Sequence, residues 1–422
     1  MKKNIFVWSL YDFANSIIMI VFLFYFSQWL VIDSGKSDWW YNGTLIVSSL
    51  LFIILAPILS KRLDISGAKL AGVRITTVVM TLFYLATTIV MLFFPTQALL
   101  ATIFFTLAMT FYLLSFLYYT PMLSDISDDT NRGWVSGLGM GANYIGQVFG
   151  LLVTLPFATG AIYLFGSHGR PQTLLPAVIL FALSAAPLMF IYKETNKVSV
   201  NDSNVNTLPV IYPKISQEYK EALIILKKVF SIRNLALIMI GYFLFSDALL
   251  TFSNNFPIFL EKVFSADDTV KTYLTAGILL LSGIGSLIFG KISDKKGKKK
   301  TLLFILMCWV ILFAALALSH SFIMAAIVCL VAGLFFGPVW GISRSMVSEY
   351  SPKEIEASSF GIYTVAERFS PFIGPVVWSI ILASTKGQGV ISYSYAIAGM
   401  GILVFISIFF ILKIKSQPTT NI

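Results

Sequence analysis

Four ionisable residues sit inside long apolar runs of this sequence: Asp12, Asp247, Glu367 and Arg368. Such a group in the middle of a bilayer costs about 2.5–3.5 kcal/mol on insertion scales, so each needs a partner, a watery cavity or a role. Asp12 is followed one helical turn later by Asn15 and Ser16, and Asp247 by Thr251, Asn254 and Asn255. Each acid therefore heads a polar stripe on one helix face. Carboxylates and amides arranged this way suit a hydrophilic solute, and a carboxylate can also carry a proton. Glu367 and Arg368 are adjacent and point about 100° apart on a helix, so they cannot pair squarely with each other. Arg368 suits a substrate carboxylate or an acid such as Asp247, and Glu367 suits a coupling proton, because His168 and His320 both lie in connecting loops. The alternative for Glu367 and Arg368 is an ion pair between helices. For Asp12, near the start of its run, the alternative is simple hydration at the membrane surface.

The elements that position these groups follow from composition. The chain has 422 residues, 57% apolar and 12% charged, with a mean hydropathy of +0.83. Soluble domains carry about a quarter charged residues, and disordered chains are far less apolar. Runs long enough to span a bilayer occur at 6–32, 39–60, 70–94, 97–120, 134–157 and 173–192, then at 234–257, 270–292, 301–319, 322–345, 358–383 and 390–412. The first is too long for a signal-peptide core. The fold class is thus an all-α membrane protein of twelve spans. It divides into an N-terminal bundle (1–192), a linker (193–232) and a C-terminal bundle (233–422).

The net charge of +10 lies almost wholly between the runs, so it marks topology and not a nucleic-acid surface. Lysine and arginine crowd the segments on the side of both termini, including Lys2, Lys3, Lys61, Arg62, Arg344 and the clusters at 193–233 and 291–300. That side is cytoplasmic by the positive-inside rule. Cys308 and Cys329 fall inside apolar runs and read as inert packing residues, so no disulfide or metal site is expected, and no cofactor.

One loop occurs twice, 230 residues apart: Ser60, Asp64 and Gly67 in SKRLDISGAK are matched by Gly290, Asp294 and Gly297 in GKISDKKGKKK. Each copy closes the second run of its half, which indicates internal duplication. Asp64 and Asp294 can cap a helix start or accept from basic residues. In the linker, Ile215, Tyr219, Ala222, Leu226 and Val229 share one helical face, with Lys220, Lys227 and Lys228 elsewhere. That pattern predicts an amphipathic helix, either on the inner leaflet or against the underside of the bundle. Thr102, Thr106 and Thr110, with Asn143 and Gln147, either line a cavity or bond to their own helices. Gly146 with Gly150, and Gly333, Gly337 and Gly341, read as close helix-packing positions.

The paired Asp–Gly loops, twelve spans and central linker resemble the major facilitator superfamily, although the first loop copy has Ser60 for glycine and Ala68 for a basic residue. WSLYDFANS at 8–16, DTNRGWVSGLG at 129–139, FLFSDALL at 243–250 and GISRSMVSEYSPKEIEASSFGIY at 341–363 resemble the branch related to the fungal vacuolar effluxers. The resemblance implies a central cavity lined by the first and seventh spans, with Asp12, Asn15, Asp247, Asn254, Glu367 and Arg368 as candidates for binding or coupling. It implies gating at the cytoplasmic loops by Asp64, Gly67, Asp294, Gly297 and Arg344. The expected activity is secondary transport of a small polar solute, such as an amino acid, in a monomer within the cell membrane, with a proton as partner. A lipid or drug exporter, or a non-transporting sensor, are the rival readings. Gly285-x-x-x-x-Gly290-Lys291 mimics a phosphate loop, but Ile292 stands where serine or threonine is required. No enzymatic activity is expected.

Overall fold

The computed structural model describes residues 2–127, 131–192, 215–352, 363 and 372–415, excepting the side chains at 61–62, 64–66, 132–133, 215–219, 221–222 and 225. Glu367, Arg368 and the side chain of Asp64 lie outside the described residues. Every described regular element is helical, as a chain crossing lipid requires when its backbone must satisfy itself.

The first half comprises α1 (Lys2–Val21), α2 (Asp38–Ser66), α3 (Lys69–Phe93), α4 (Ala98–Tyr119), the single turn α5 (Leu123–Ile126), α6 (Arg132–Ala158) and α7 (Leu174–Phe190). Helix α8 (Ile215–Phe230) follows, then α9 (Arg233–Phe264), α10 (Asp268–Lys296), α11 (Lys298–Ala317), α12 (Phe322–Tyr350), α13 (Ile373–Ser384) and α14 (Ile391–Leu412). Among the described residues, eleven segments are long and apolar enough to cross a membrane, and α13, with 12 residues, is a shorter apolar helix. The first span is prolonged to Asp33 by two π-helical stretches, Phe22–Phe26 and Trp29–Asp33.

By packing, the chain forms two units: Met1–Trp29 with Val47–Ile224, and Leu30–Ile46 with Ile225–Ile422. In the first, α1 packs on α6 and α7, and α3 on α4 and α7. In the second, α9 packs on α14, α11 on α12 and α14, and α10 on α12. The pairs α1–α7, α3–α4 and α3–α7 thus recur as α9–α14, α11–α12 and α11–α14, which is the repeat expressed in packing. Aromatic rings fill both interiors, with Phe26 on Phe105 at 4.1 Å in one and Tyr242 on Tyr363 at 4.4 Å in the other.

Small residues set the closest helix approaches. A Cβ built at Gly150 would lie 3.1 Å from Ile17 Cα, one at Gly333 2.9 Å from the Ile278 carbonyl, and one at Gly285 2.9 Å from Leu334 Cα. Gly146 and Gly337 are equally enclosed, by Phe13 and Ser282. Gly341 has nothing within 4 Å, so the close-packing expectation does not hold there. Thr102, Thr106 and Thr110 each donate to the carbonyl four residues back, at 2.7, 2.8 and 2.9 Å. Their hydroxyls serve their own helix.

Candidate functional site

The seventh span, α9, carries a polar stripe because Asp247, Thr251 and Asn255 recur every four residues along a helix that is otherwise apolar. All three are buried, with Asp247 at 0% exposure. Its carboxylate accepts from the backbone N–H of Phe372 at 3.1 Å (Oδ1) and of Gly374 at 2.6 Å (Oδ2). Helix α13 begins at Ile373, with Phe372 in a non-helical conformation ahead of it. The first N–H groups of a helix have no intrahelical acceptor, and the same end carries partial positive charge. Asp247 supplies the acceptor from another span. Gly374 allows this approach, since a Cβ there would sit 2.9 Å from Asp247 Oδ1 and against the Thr251 hydroxyl.

One and two turns further on, the stripe meets the hairpin between α1 and α2. Asn255 Nδ2 donates to Asn42 Oδ1 at 3.0 Å and to the Thr251 carbonyl at 2.9 Å. Asn42 Nδ2 in turn donates to Ser379 Oγ of α13 at 3.0 Å. Asn42, Asn255 and Ser379 are all buried and belong to the second unit. Asp38 of the same hairpin accepts from the Tyr393 hydroxyl at 3.3 Å. Asn254, the candidate chosen from sequence, is only half-buried, one residue outside this network. Asn42→Ala is expected to lower the stability of the purified protein by about 1–3 kcal/mol, because it strips two buried partners. Asn254→Ala should stay within about 0.5 kcal/mol. Unfolding midpoints of the two variants check this ordering.

In the first unit, Asp12 is half-buried on α1 and faces α6, where a Cβ at Gly139 would lie 2.6 Å from Asp12 Oδ2. Trp8 stacks on Tyr119 at 4.9 Å, and the Tyr119 hydroxyl donates to the Trp8 carbonyl at 2.8 Å. Tyr11 and Thr77 share a hydroxyl hydrogen bond of 2.6 Å. Asn15 lies one turn beyond Tyr11, fully buried, and among the described residues its amide nitrogen and oxygen have no hydrogen-bond partner of good geometry, the Tyr11 hydroxyl being the polar neighbour. A buried amide in that state is a candidate for binding, since polar groups in protein interiors are otherwise paired. Gln147 donates to Asn143 at 2.7 Å, so that pair is partly self-satisfied.

The repeated loops end their helices alike. Gly67 and Gly297 take positive φ, 63° and 91°, and their N–H groups close onto Leu63 and Ser293 at 2.7 and 2.9 Å. That left-handed geometry explains glycine at both places. Asp294 is exposed in the last turn of α10, and Arg344 is half-buried in α12. The described ion pairs at these loops join an acid near each loop, Asp125 or Glu349, to a lysine that the sequence pattern did not single out. Lys69 pairs with Asp125 at 2.7 Å and also donates to the Pro121 carbonyl at 3.2 Å. Lys298 pairs with Glu349 at 3.0 Å and donates to the Ser345 carbonyl at 3.3 Å. Each is the first basic residue after the loop glycine, and each ties the start of one span to the end of the next. Elsewhere, the buried Lys271 is held between Glu261 and Asp268. No cluster of metal-ligating residues occurs among the described residues.

Residues 236–421 match the sequence model described as Major Facilitator Superfamily. The chain is 22% identical to the uncharacterized MFS-type transporter YxiO of Bacillus subtilis, over 98% of this chain and 95% of that one. It is 24% identical to Autophagy-related protein 22 of Candida glabrata, over 45% of this chain and 37% of that one. Its fold is similar to the crystal structure of the nucleoside transporter NupG, with a TM-score of 0.73 at 12% identity, covering 99% of this chain and 100% of the other. The chain is therefore a multi-pass membrane protein with the major facilitator fold, and its second half carries that superfamily's sequence pattern.

Proposed function

We propose that this protein is a secondary transporter that moves a small polar solute, such as an amino acid, by alternating access coupled to protons. The observation that carries the reading is the pair of buried polar stripes in equivalent spans: Asn15 with Tyr11 in α1, and Asp247 with Thr251 and Asn255 in α9. Duplicated halves of such a fold place the solute near mid-membrane between repeats. Asp12, Asn15, Asp247, Asn254, Glu367 and Arg368 are the proposed binding and coupling set. Asp247 enters this set indirectly: both its oxygens are engaged by backbone N–H groups, so it positions the start of α13 beside the solute-facing members. Glu367 and Arg368 precede that start by a few residues in sequence and are proposed to face the solute.

Asp64, Gly67, Asp294, Gly297 and Arg344 are the proposed gating set. Both termini are assigned to the cytoplasmic side of the cell membrane, on the lysine and arginine count. The bundles 1–192 and 233–422 are the proposed functional halves, joined by 193–232, in a monomer. The WSLYDFANS motif and the partial similarity to a fungal relative support the effluxer branch.

Reconstituted Glu367→Gln is expected to lose pH-driven accumulation while keeping exchange of bound solute. Normal pH-driven accumulation by this variant would remove the coupling role. A thermal-shift screen of amino acids, peptides, nucleosides, sugars, lipids and drugs identifies the solute class: a shift with amino acids supports the reading, and one confined to lipids or drugs selects the exporter alternative.

A further inference from the structure

The transport path makes no use of α8, yet that helix is firmly joined to a membrane span. The Ser231 N–H and hydroxyl both donate to the Lys227 carbonyl, at 2.9 and 2.6 Å. The Ile232 N–H donates to Val229 at 3.1 Å, and Ala236 N–H to Ile232 at 2.9 Å. Ile232 itself is extended (φ −87°, ψ 103°), so α8 turns away from the axis of α9 instead of continuing it. Val229 is fully buried and fixes the last turn on the protein. The candidate membrane span α9 begins at Arg233, so this turn adjoins the end of a span.

Among the described side chains of α8, all but Val229 are exposed. Leu223, Leu226 and Phe230, spaced as one helical stripe, are 62%, 41% and 39% exposed, and the neighbouring Ile224 is 65% exposed. Lys220 and Lys227 are exposed beside the stripe, and Lys228 is exposed on the far side of the helix. Protein interfaces exclude lysine from their apolar centres, whereas an interfacial membrane helix wants lysine there, its stem over apolar surface and its ammonium among phosphates. Of the two placements open to this helix, the exposure of its apolar residues favours lipid over the bundle.

We propose that α8 is a docking surface for anionic phospholipid, with Leu223, Leu226 and Phe230 entering the interfacial layer and the flanking Lys220 and Lys227 engaging headgroup phosphates. The test uses the full chain with Cys308 and Cys329 replaced by alanine and a spin label at Leu226→Cys. It is reconstituted in phosphatidylcholine vesicles with and without phosphatidylglycerol. With phosphatidylglycerol, the label should gain collisions with oxygen and lose collisions with a nickel chelate. Adding Lys220→Gln and Lys227→Gln should abolish that shift, whereas Lys228→Gln alone should leave it. Three outcomes would overturn the proposal: nickel access unchanged by phosphatidylglycerol, a label shielded from both reagents because protein covers it, or lipid immersion indifferent to lipid charge and to the lysines. The readout is depth and not flux, so it stands or falls separately from the transport reading.

Discussion

Asp247→Ala is expected to detach the beginning of α13 and to destabilise the second unit by about 3 kcal/mol, the sum of one buried and one part-buried N–H group left without acceptors at roughly 1–3 kcal/mol each. The native carboxylate serves Phe372 and Gly374 at once, from a side chain with no solvent exposure, so no water replaces it cheaply. Asp247→Asn should fall between, because its amide oxygen keeps one bond while its NH2 group faces a second donor. Asp247→Glu should fail as well, since the pocket is closed by Gly374 and the Thr251 hydroxyl. Trp378 offers an internal reporter: it is buried on α13, with its ring 6.3 Å from that of Tyr393. Denaturant titration followed by tryptophan fluorescence should rank native above Asn above Ala. An alanine variant as stable as the native protein would show that the cap contributes nothing.

Gly285→Leu is expected to be comparably damaging for a steric reason. Even a Cβ at this position meets the carbonyl and Cα of Leu334, and backbone in a neighbouring helix cannot swing aside as a side chain does. Overpacking a tight core by a methylene or so costs about 1–3 kcal/mol, and a leucine exceeds that addition by several atoms. Gly285→Ala should therefore cost about 2 kcal/mol, against less than about 0.5 kcal/mol for Gly341→Ala, where nothing lies within 4 Å. Equal stability of the two alanine variants would mean that α10 and α12 do not meet as described. Detergent-solubilised unfolding midpoints provide the comparison.

The spans were legible because hydropathy over some twenty residues is a strong signal, and the loop glycines because positive φ leaves glycine as the natural residue. The polar stripe of α9 was legible from its four-residue spacing. Its partners were not. A carboxylate that accepts from backbone N–H groups leaves no trace in a partner's side chain, and the start of α13 is hidden within the apolar run 358–383. Asn254 and Asn255 differ by 100° around the helix, and nothing in the sequence announced that Asn42, from the first hairpin, would select Asn255. Lys298 was masked by the lysines around it, since a basic cluster does not say which member turns inward to an acid, and Lys69 by lying one residue past the position where the loop pattern carries its first basic residue.

The paired lysine clamps have a practical consequence. Lys69–Asp125 and Lys298–Glu349 each lie wholly within one unit, fastening the start of one helix to the end of the next. A spectroscopic ruler stretched across either clamp should read one constant distance through every stage of a working cycle. Such a pair is a calibration mark supplied by the molecule: any distance that varies while these two stay fixed measures travel, and any drift in them measures damage.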